Sequence, residues 1–312
     1  MEEKMKEPID QDHALVKIIT TAIKIPGVKV NRDNFLLSIF EKKSSDEKEK
    51  ILKLGPVKAG CSQKELLKIA KNLVTKRAME STGLSFAAGL PGGIAMAATI
   101  PADVAQFYGT ALKLAQEISY LYGSEDLWNN EELDTEKITN HLILYCGVMF
   151  GASGAAEAVK IMSSALAKQV LKKLPQMALT KTFYYPVIKS VLKFFGVSLT
   201  KSTFAKGVSK AIPIVGGVVS GGITWLSMRP MGMRLVETFD EAHFSYTEDE
   251  ILADWEIINE GVEDDDMNDS MDSNENTNTP IVEQIKEAKI LLDEGVITQE
   301  EFEKIKSKLL TI

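Results

Sequence analysis

The stretch Ser81–Ala102, STGLSFAAGLPGGIAMAATIPA, governs how the chain is read: twenty-two consecutive residues carry no charge, and the run ends at Asp103. About 18 or more apolar residues cross a hydrocarbon core of roughly 30 Å, so the length permits a membrane span. The content weakens that reading. Gly89, Gly92 and Gly93, with Pro91 and Pro101, interrupt the run, and Ala and Thr contribute little transfer free energy per residue. The segment stands near the threshold for insertion, and insertion in lipid or burial in a globular core both remain open for it.

Two further uncharged runs share its character. Ile138–Ala156 (ITNHLILYCGVMFGASGAA) holds Gly147, Gly151 and Gly154, and Ala211–Met228 (AIPIVGGVVSGGITWLSM) holds Gly216, Gly217, Gly221 and Gly222. Gly147 and Gly151 stand four residues apart, as do Gly89 and Gly93, and Gly217 and Gly221. That spacing lets two helices approach closely, as a dimerisation motif in lipid or as tight packing in water. Glycine costs a helix roughly 1 kcal/mol relative to alanine, so none of the three runs is a secure transmembrane helix alone.

Around these runs the pattern is helical. His13–Ile25 places Leu15, Ile18, Ile19, Ala22 and Ile23 on one face and stops at Pro26-Gly27. Asn31–Phe40 follows with Asn31 as its cap. Ser62–Met79 opens with Ser62 and Glu65 in capping-box spacing. A helix over Ala102–Tyr122 starts after Pro101, with Asp103 in its first turn, where the helix dipole stabilises a carboxylate. Tyr108, Tyr120 and Tyr122 on it suit either an aromatic core or a membrane interface. The expected fold is all-α: a multi-helix domain over 1–260 with Gly-rich apolar helices, a flexible acidic linker over 261–280, and a small helical hairpin over 281–312.

A 45% hydrophobic and 26% charged composition over 312 residues is ordinary for a globular chain. Charge is distributed far less evenly. Ala158–Val236 carries ten Lys and two Arg and no acid, whereas Glu237–Pro280 carries sixteen acids and no base. Within the basic block, Lys168, Lys172, Lys173, Lys189 and Lys193 recur among apolar residues, with Phe194 and Phe195 adjoining. A helix with that pattern binds a membrane interface, and each lysine near anionic lipid contributes about 1 kcal/mol. The expected partner is an anionic membrane surface, with the tethered acidic segment competing for the same lysines. Nucleic acid is disfavoured, since lysine outnumbers arginine five to one and no binding motif occurs. Met1–Asp12 is charged and lacks an apolar core, so no signal peptide is read there. The expected location is cytoplasmic, peripheral to or partly inserted in the inner membrane. Cys61 and Cys146 are expected as free thiols.

Catalytic signals are sparse. His13, His141 and His243 have no metal-ligand spacing, and His141 and Cys146, five residues apart, fall on different sides of a helix. GLPGG and VGGVVSGG lack the Gly-Lys-Ser/Thr ending of a phosphate loop, and there is no G-x-S-x-G elbow. No metal or cofactor is expected. Asp103 is the candidate for a catalytic group.

Two resemblances follow from longer phrases. LSFAAGLPGGIAMAATIPADVAQFYGTALKLAQEISYLYG, then AIPIVGGVVSGGITWLSMRPM, with IPGVKVNRDNF upstream, resembles the EcsC family of bacterial proteins over roughly residues 10–236. The resemblance implies a helical, membrane-associated protein; it also implies the alternative of a soluble hydrolase of unknown substrate, with a site around Asp103, but transfers no catalytic residue. At the C-terminus, IVEQIKEAKILLDEGVITQEEFEKIKSKLL reads as helix, turn, helix, with Gly295 at the stop and Thr298 and Glu301 as a capping box. It resembles the SHOCT (short C-terminal) domain through Gly295–Phe302. A module of about thirty residues buries too little surface to be stable alone. Self-association or a protein partner is therefore expected through Ile285, Leu292, Ile297, Phe302 and Ile305.

Overall fold

In the computed structural model, which describes residues 13–83, 102–128, 135–173, 183–198 and 221–259 with 289, 299, 303 and 306, short polar side chains cap the starts of several helices. Eleven α-helices and no strand occur among the described residues. They are α1 Ala14–Ala22, α2 Arg32–Ile39, α3 Ser45–Leu54, α4 Gln63–Gly83, α5 Ala102–Leu121, α6 Thr135–Phe150, α7 Ala155–Ser163, α8 Ala165–Lys172, α9 Tyr185–Ser198, α10 Gly221–Phe244 and α11 Glu248–Asn259. The fold is all-α.

Asn31 Oδ1 accepts the Asn34 amide at 2.8 Å to begin α2, and Ser62 Oγ accepts the Glu65 amide at 3.2 Å to begin α4. A reciprocal Ser44–Glu47 capping box begins α3, a helix absent from the expectations above. Each cap satisfies an N–H that the first turn would otherwise leave without a partner. The basic segment from Ala158 is broken at Ser164, between α7 and α8. Ser164 adopts extended backbone with ψ 128° and its hydroxyl caps α8, accepting the Ala167 amide at 3.2 Å.

Helix α10 packs along α4 and against α5, α6 and α7. Gly232 permits this, since a Cβ there would come within 2.9 Å of Leu114 Cδ2 on α5 and of Val74 Cγ1 on α4. The second uncharged run is the core helix α6, whose Leu142, Ile143, Leu144, Cys146 and Met149 are fully buried. Its Gly147 is a packing residue, because a Cβ there would lie 2.7 Å from Val191 Cγ2 on α9 and 2.8 Å from Ala155 Cβ on α7. Gly151 does something else: with φ 76° it follows the end of α6, a conformation glycine adopts without penalty. Most of the first and third runs, including Gly89, Gly93 and Gly217, lies outside the described residues, and Gly221 opens α10. No helix among the described residues is long and apolar enough to cross a membrane.

Tyr108, Tyr120 and Tyr122 are all fully buried, so the aromatic-core alternative holds for them. Tyr108 stacks on Phe150 at 5.7 Å and Tyr122 on Phe239 at 6.0 Å.

The close approach at Gly147 has a measurable sign. Alanine at a helix interior normally gains about 0.5–1 kcal/mol over glycine, but overpacking costs about 1–3 kcal/mol, and the Ala155 Cβ has no rotamer by which to move away. Gly147→Ala is expected to lower the thermal midpoint by several degrees, and a raised midpoint would contradict the α6–α7–α9 contact.

Candidate functional site

Five lysines of the basic block lie on or directly beside two amphipathic helices, α8 and α9. On α8, Ala167, Val170 and Leu171 are buried while Lys168 and Lys172 are exposed, as is Lys173 directly after it. On α9, Val187, Ile188, Val191 and Leu192 face the core, and Lys189 and Lys193 are exposed. Lys168 is open to solvent yet crowded: desolvation lowers its pKa first, the Lys58 and Lys172 charges add to this, and Glu125 opposes it. Phe194 is half-buried. Phe195 is fully buried, its ring edge-on to Phe150 at 5.0 Å, because the apolar side of α9 is used up in the core. This phenylalanine is not presented at a surface.

The acidic block begins as folded protein, and among the described residues it meets the basic block at a buried contact. Lys160 on α7 meets Asp254 on α11 at 2.8 Å and Glu241 at 3.9 Å. The Tyr246 hydroxyl donates to Asp254 at 2.6 Å, and the ammonium lies 5.1 Å from the Tyr246 ring centre. Burial and the hydrogen bond to Asp254 raise the Tyr246 pKa, so it stays protonated. Trp255 packs on Phe183 at 5.6 Å. The folded acids thus engage Lys160 and leave the lysines of α8 exposed.

A second set of lysines, Lys29, Lys76 and Lys113, comes together at α2, α4 and α5. Arg77 on α4 is buried against α5, where Nε donates to Glu117 Oε2 at 2.7 Å and Nη2 to Glu117 Oε1, while Nη1 donates to Glu80. The Glu117 side chain is 3% exposed and that of Arg77 11%. Their bidentate geometry is the strong form of this pairing. Above the pair opens a cavity of about 390 Å³ between α2, α4 and α5, bordered by Lys29, Lys76 and Lys113. A smaller one of about 90 Å³ lies by Ile25, Glu80, Gly109 and Thr110. Gln116, fully buried, fixes the rim: it accepts the Val30 amide at 3.1 Å and the Trp128 indole N–H at 2.8 Å, and donates to the Val28 carbonyl at 2.9 Å.

No local pattern in the sequence marks this cleft as a whole. Its lysines come from three separated segments, and only Lys113 and Glu117, four apart on one helix, carry a local signal.

The remaining candidates separate. Asp103 lies in the first turn of α5, with its side chain outside the described residues. Cys146 is buried and its thiol is pushed up to about 12 by desolvation, so it is protonated at neutral pH and a poor nucleophile. His141 is partly exposed and bonds the Lys137 carbonyl at 2.7 Å. Cys61 is also a buried free thiol. Among the described residues no group of three or more His, Cys, Asp or Glu side chains could hold a metal ion.

His243 carries a pH signature. Its Nδ1 bonds the Phe239 carbonyl at 2.8 Å and its ring lies 5.9 Å from Tyr122. Tyr122 donates to Asp240 at 3.0 Å and Gln63 donates to the same carboxylate at 2.7 Å. Burial chiefly lowers the His243 pKa below 6.5, with the Lys168 and Lys58 charges acting the same way and the Phe239 carbonyl and Asp240 opposing. The unfolded chain therefore binds this proton more readily than the folded one, and stability falls as pH drops below about 6.5. His243→Gln is expected to show a smaller fall in thermal midpoint between pH 7.5 and 5.5 than the parent. Equal falls would remove His243 as the source.

Residues 283–310 match the family described as the Short C-terminal domain, SHOCT. No curated protein and no solved structure matches the chain. Ile285, Leu292, Ile297, Phe302 and Ile305 lie outside the described residues, as does the acidic linker over 261–280. The four described positions of this region, 289, 299, 303 and 306, are helical.

Proposed function

We propose that the chain is a non-enzymatic helical protein that binds an anionic membrane surface reversibly through its lysines and assembles through its C-terminal hairpin. The observation that carries this reading is the outward face of α8, where Lys168 and Lys172 are exposed, with Lys173 directly after them, while Ala167, Val170 and Leu171 are committed to the core and Leu166 is 44% exposed beside the lysines. Such a helix supplies Coulombic attraction and offers Leu166 alone among its large apolar side chains for insertion, so contact is peripheral. Attraction of this kind is screened over about 10 Å at 0.1 M salt. The EcsC resemblance over roughly 10–236 supports membrane association, and the SHOCT match over 283–310 supports assembly with another copy or another protein. The location that fits is the cytoplasmic face of a bacterial inner membrane.

Cell fractionation tests it. The protein is expected in the membrane pellet at low salt and in the supernatant after a high-salt wash. Release by detergent alone would replace peripheral contact with insertion, and a wholly soluble pool at low salt would overturn the membrane reading.

A further inference from the structure

We infer that the cleft between α2, α4 and α5 is an anion site for a phosphate-bearing small molecule or headgroup. Its volume of about 390 Å³ falls within the roughly 300–1,000 Å³ of small-molecule sites and exceeds what a single phosphate fills. Lys29 from the loop before α2, Lys76 from α4 and Lys113 from α5 border it, and none of the three forms an ion pair among the described residues. The carboxylate that lines the cleft is already committed, since Glu117 is held by Arg77. Three cations around one concavity repel one another and raise the local potential, and a polyanion removes that repulsion. Each ammonium brings three donors and a compact charge, the chemistry by which lysine binds phosphate.

The cleft is also built in advance of any ligand. The Arg77–Glu117 pair fixes its floor by joining α4 to α5, and Gln116 ties the 28–30 loop that presents Lys29. Lys29 is further positioned over the Trp128 ring, 4.7 Å from its centre. Asn34 and Ser38 of α2 complete a polar wall. A site with its charges already gathered and its loop already ordered spends little binding free energy on organisation. These residues are separate from the lysines of α8 and α9, so the inference stands apart from the membrane reading.

The experiment titrates the full chain with pyrophosphate by calorimetry at low salt, beside the variants K29Q/K76Q/K113Q and K168Q/K172Q/K173Q. Flotation on phosphatidylcholine vesicles with and without phosphatidic acid forms the second arm. Pyrophosphate is expected to bind the parent at sub-millimolar concentration, the cleft variant at least tenfold more weakly, and the α8 variant as the parent does. Asn34→Asp, which sets a carboxylate in the wall without removing a lysine, should also weaken binding. Given that result, loss of phosphatidic-acid-dependent flotation in the cleft variant identifies a lipid headgroup, and unchanged flotation identifies a soluble phosphate. No pyrophosphate binding by the parent, or equal binding by the cleft variant with its thermal midpoint unchanged, would overturn the inference.

Discussion

Arg77→Met is expected to destabilise the folded chain by about 3–5 kcal/mol, the cost of leaving a buried charge without its partner. The Glu117 side chain is 3% exposed and takes hydrogen bonds from two guanidinium nitrogens. Removing the guanidinium strands that carboxylate between α4 and α5, where water cannot replace the lost bonds. Methionine keeps much of the side-chain volume, so the loss reports charge rather than a cavity. The double variant Arg77→Met/Glu117→Leu should be more stable than Arg77→Met alone, because an apolar pair of similar size needs no counter-charge. Glu80→Gln should cost less than either, since Glu80 is 35% exposed. Denaturant unfolding of the three variants measures these differences, and a double variant no more stable than Arg77→Met would show that the pair is not what joins the two helices.

Much of the helical scaffold is readable from local signals, and what escapes reading is non-local. The caps at Asn31 and Ser62 and the apolar faces of α1 and α4 are visible because their partners lie within four residues. The Ser44–Glu47 box has the same spacing as Ser62–Glu65 but introduces SDEKEKILKL, a segment too polar for its period to stand out. In the basic block the break between α7 and α8 is marked by the Ser164 hydroxyl turned back to the Ala167 amide.

The glycines divide on similar grounds. Gly147 lies in a helix seam and Gly151 at a helix end, a distinction that four-residue spacing alone does not contain. Arg32 gives a clearer case. It is buried and bonds the Ser124 and Leu52 carbonyls at 3.0 Å each, tying α2 to two segments distant in sequence. The cleft is of the same kind, because residues 29, 76, 77, 113 and 117 become neighbours only after three helices pack. The lysines of α8 are legible because charge and amphipathic period coincide there, whereas the burial of Phe195 depends on Phe150, forty-five residues away.

The second large effect concerns those lysines. Each lysine close to an anionic surface contributes about 1 kcal/mol, and about 1.4 kcal/mol is a factor of ten in affinity. Five lysines spread over α8, the residue after it and α9 do not all approach one plane equally, so about half of the summed effect is expected. The variant K168Q/K172Q/K173Q/K189Q/K193Q should therefore bind anionic vesicles about a hundredfold more weakly than the parent. Folding should be preserved, since all five side chains are exposed and the apolar faces beneath them are untouched.

The measurement is co-sedimentation of parent and variant with phosphatidylglycerol-containing and pure phosphatidylcholine vesicles across a salt series. The parent should sediment with the anionic vesicles at low salt, leave them as salt rises, and ignore the neutral ones, while the variant stays in solution throughout. Equal sedimentation of parent and variant with anionic vesicles at low salt would contradict lysine-driven association with membranes.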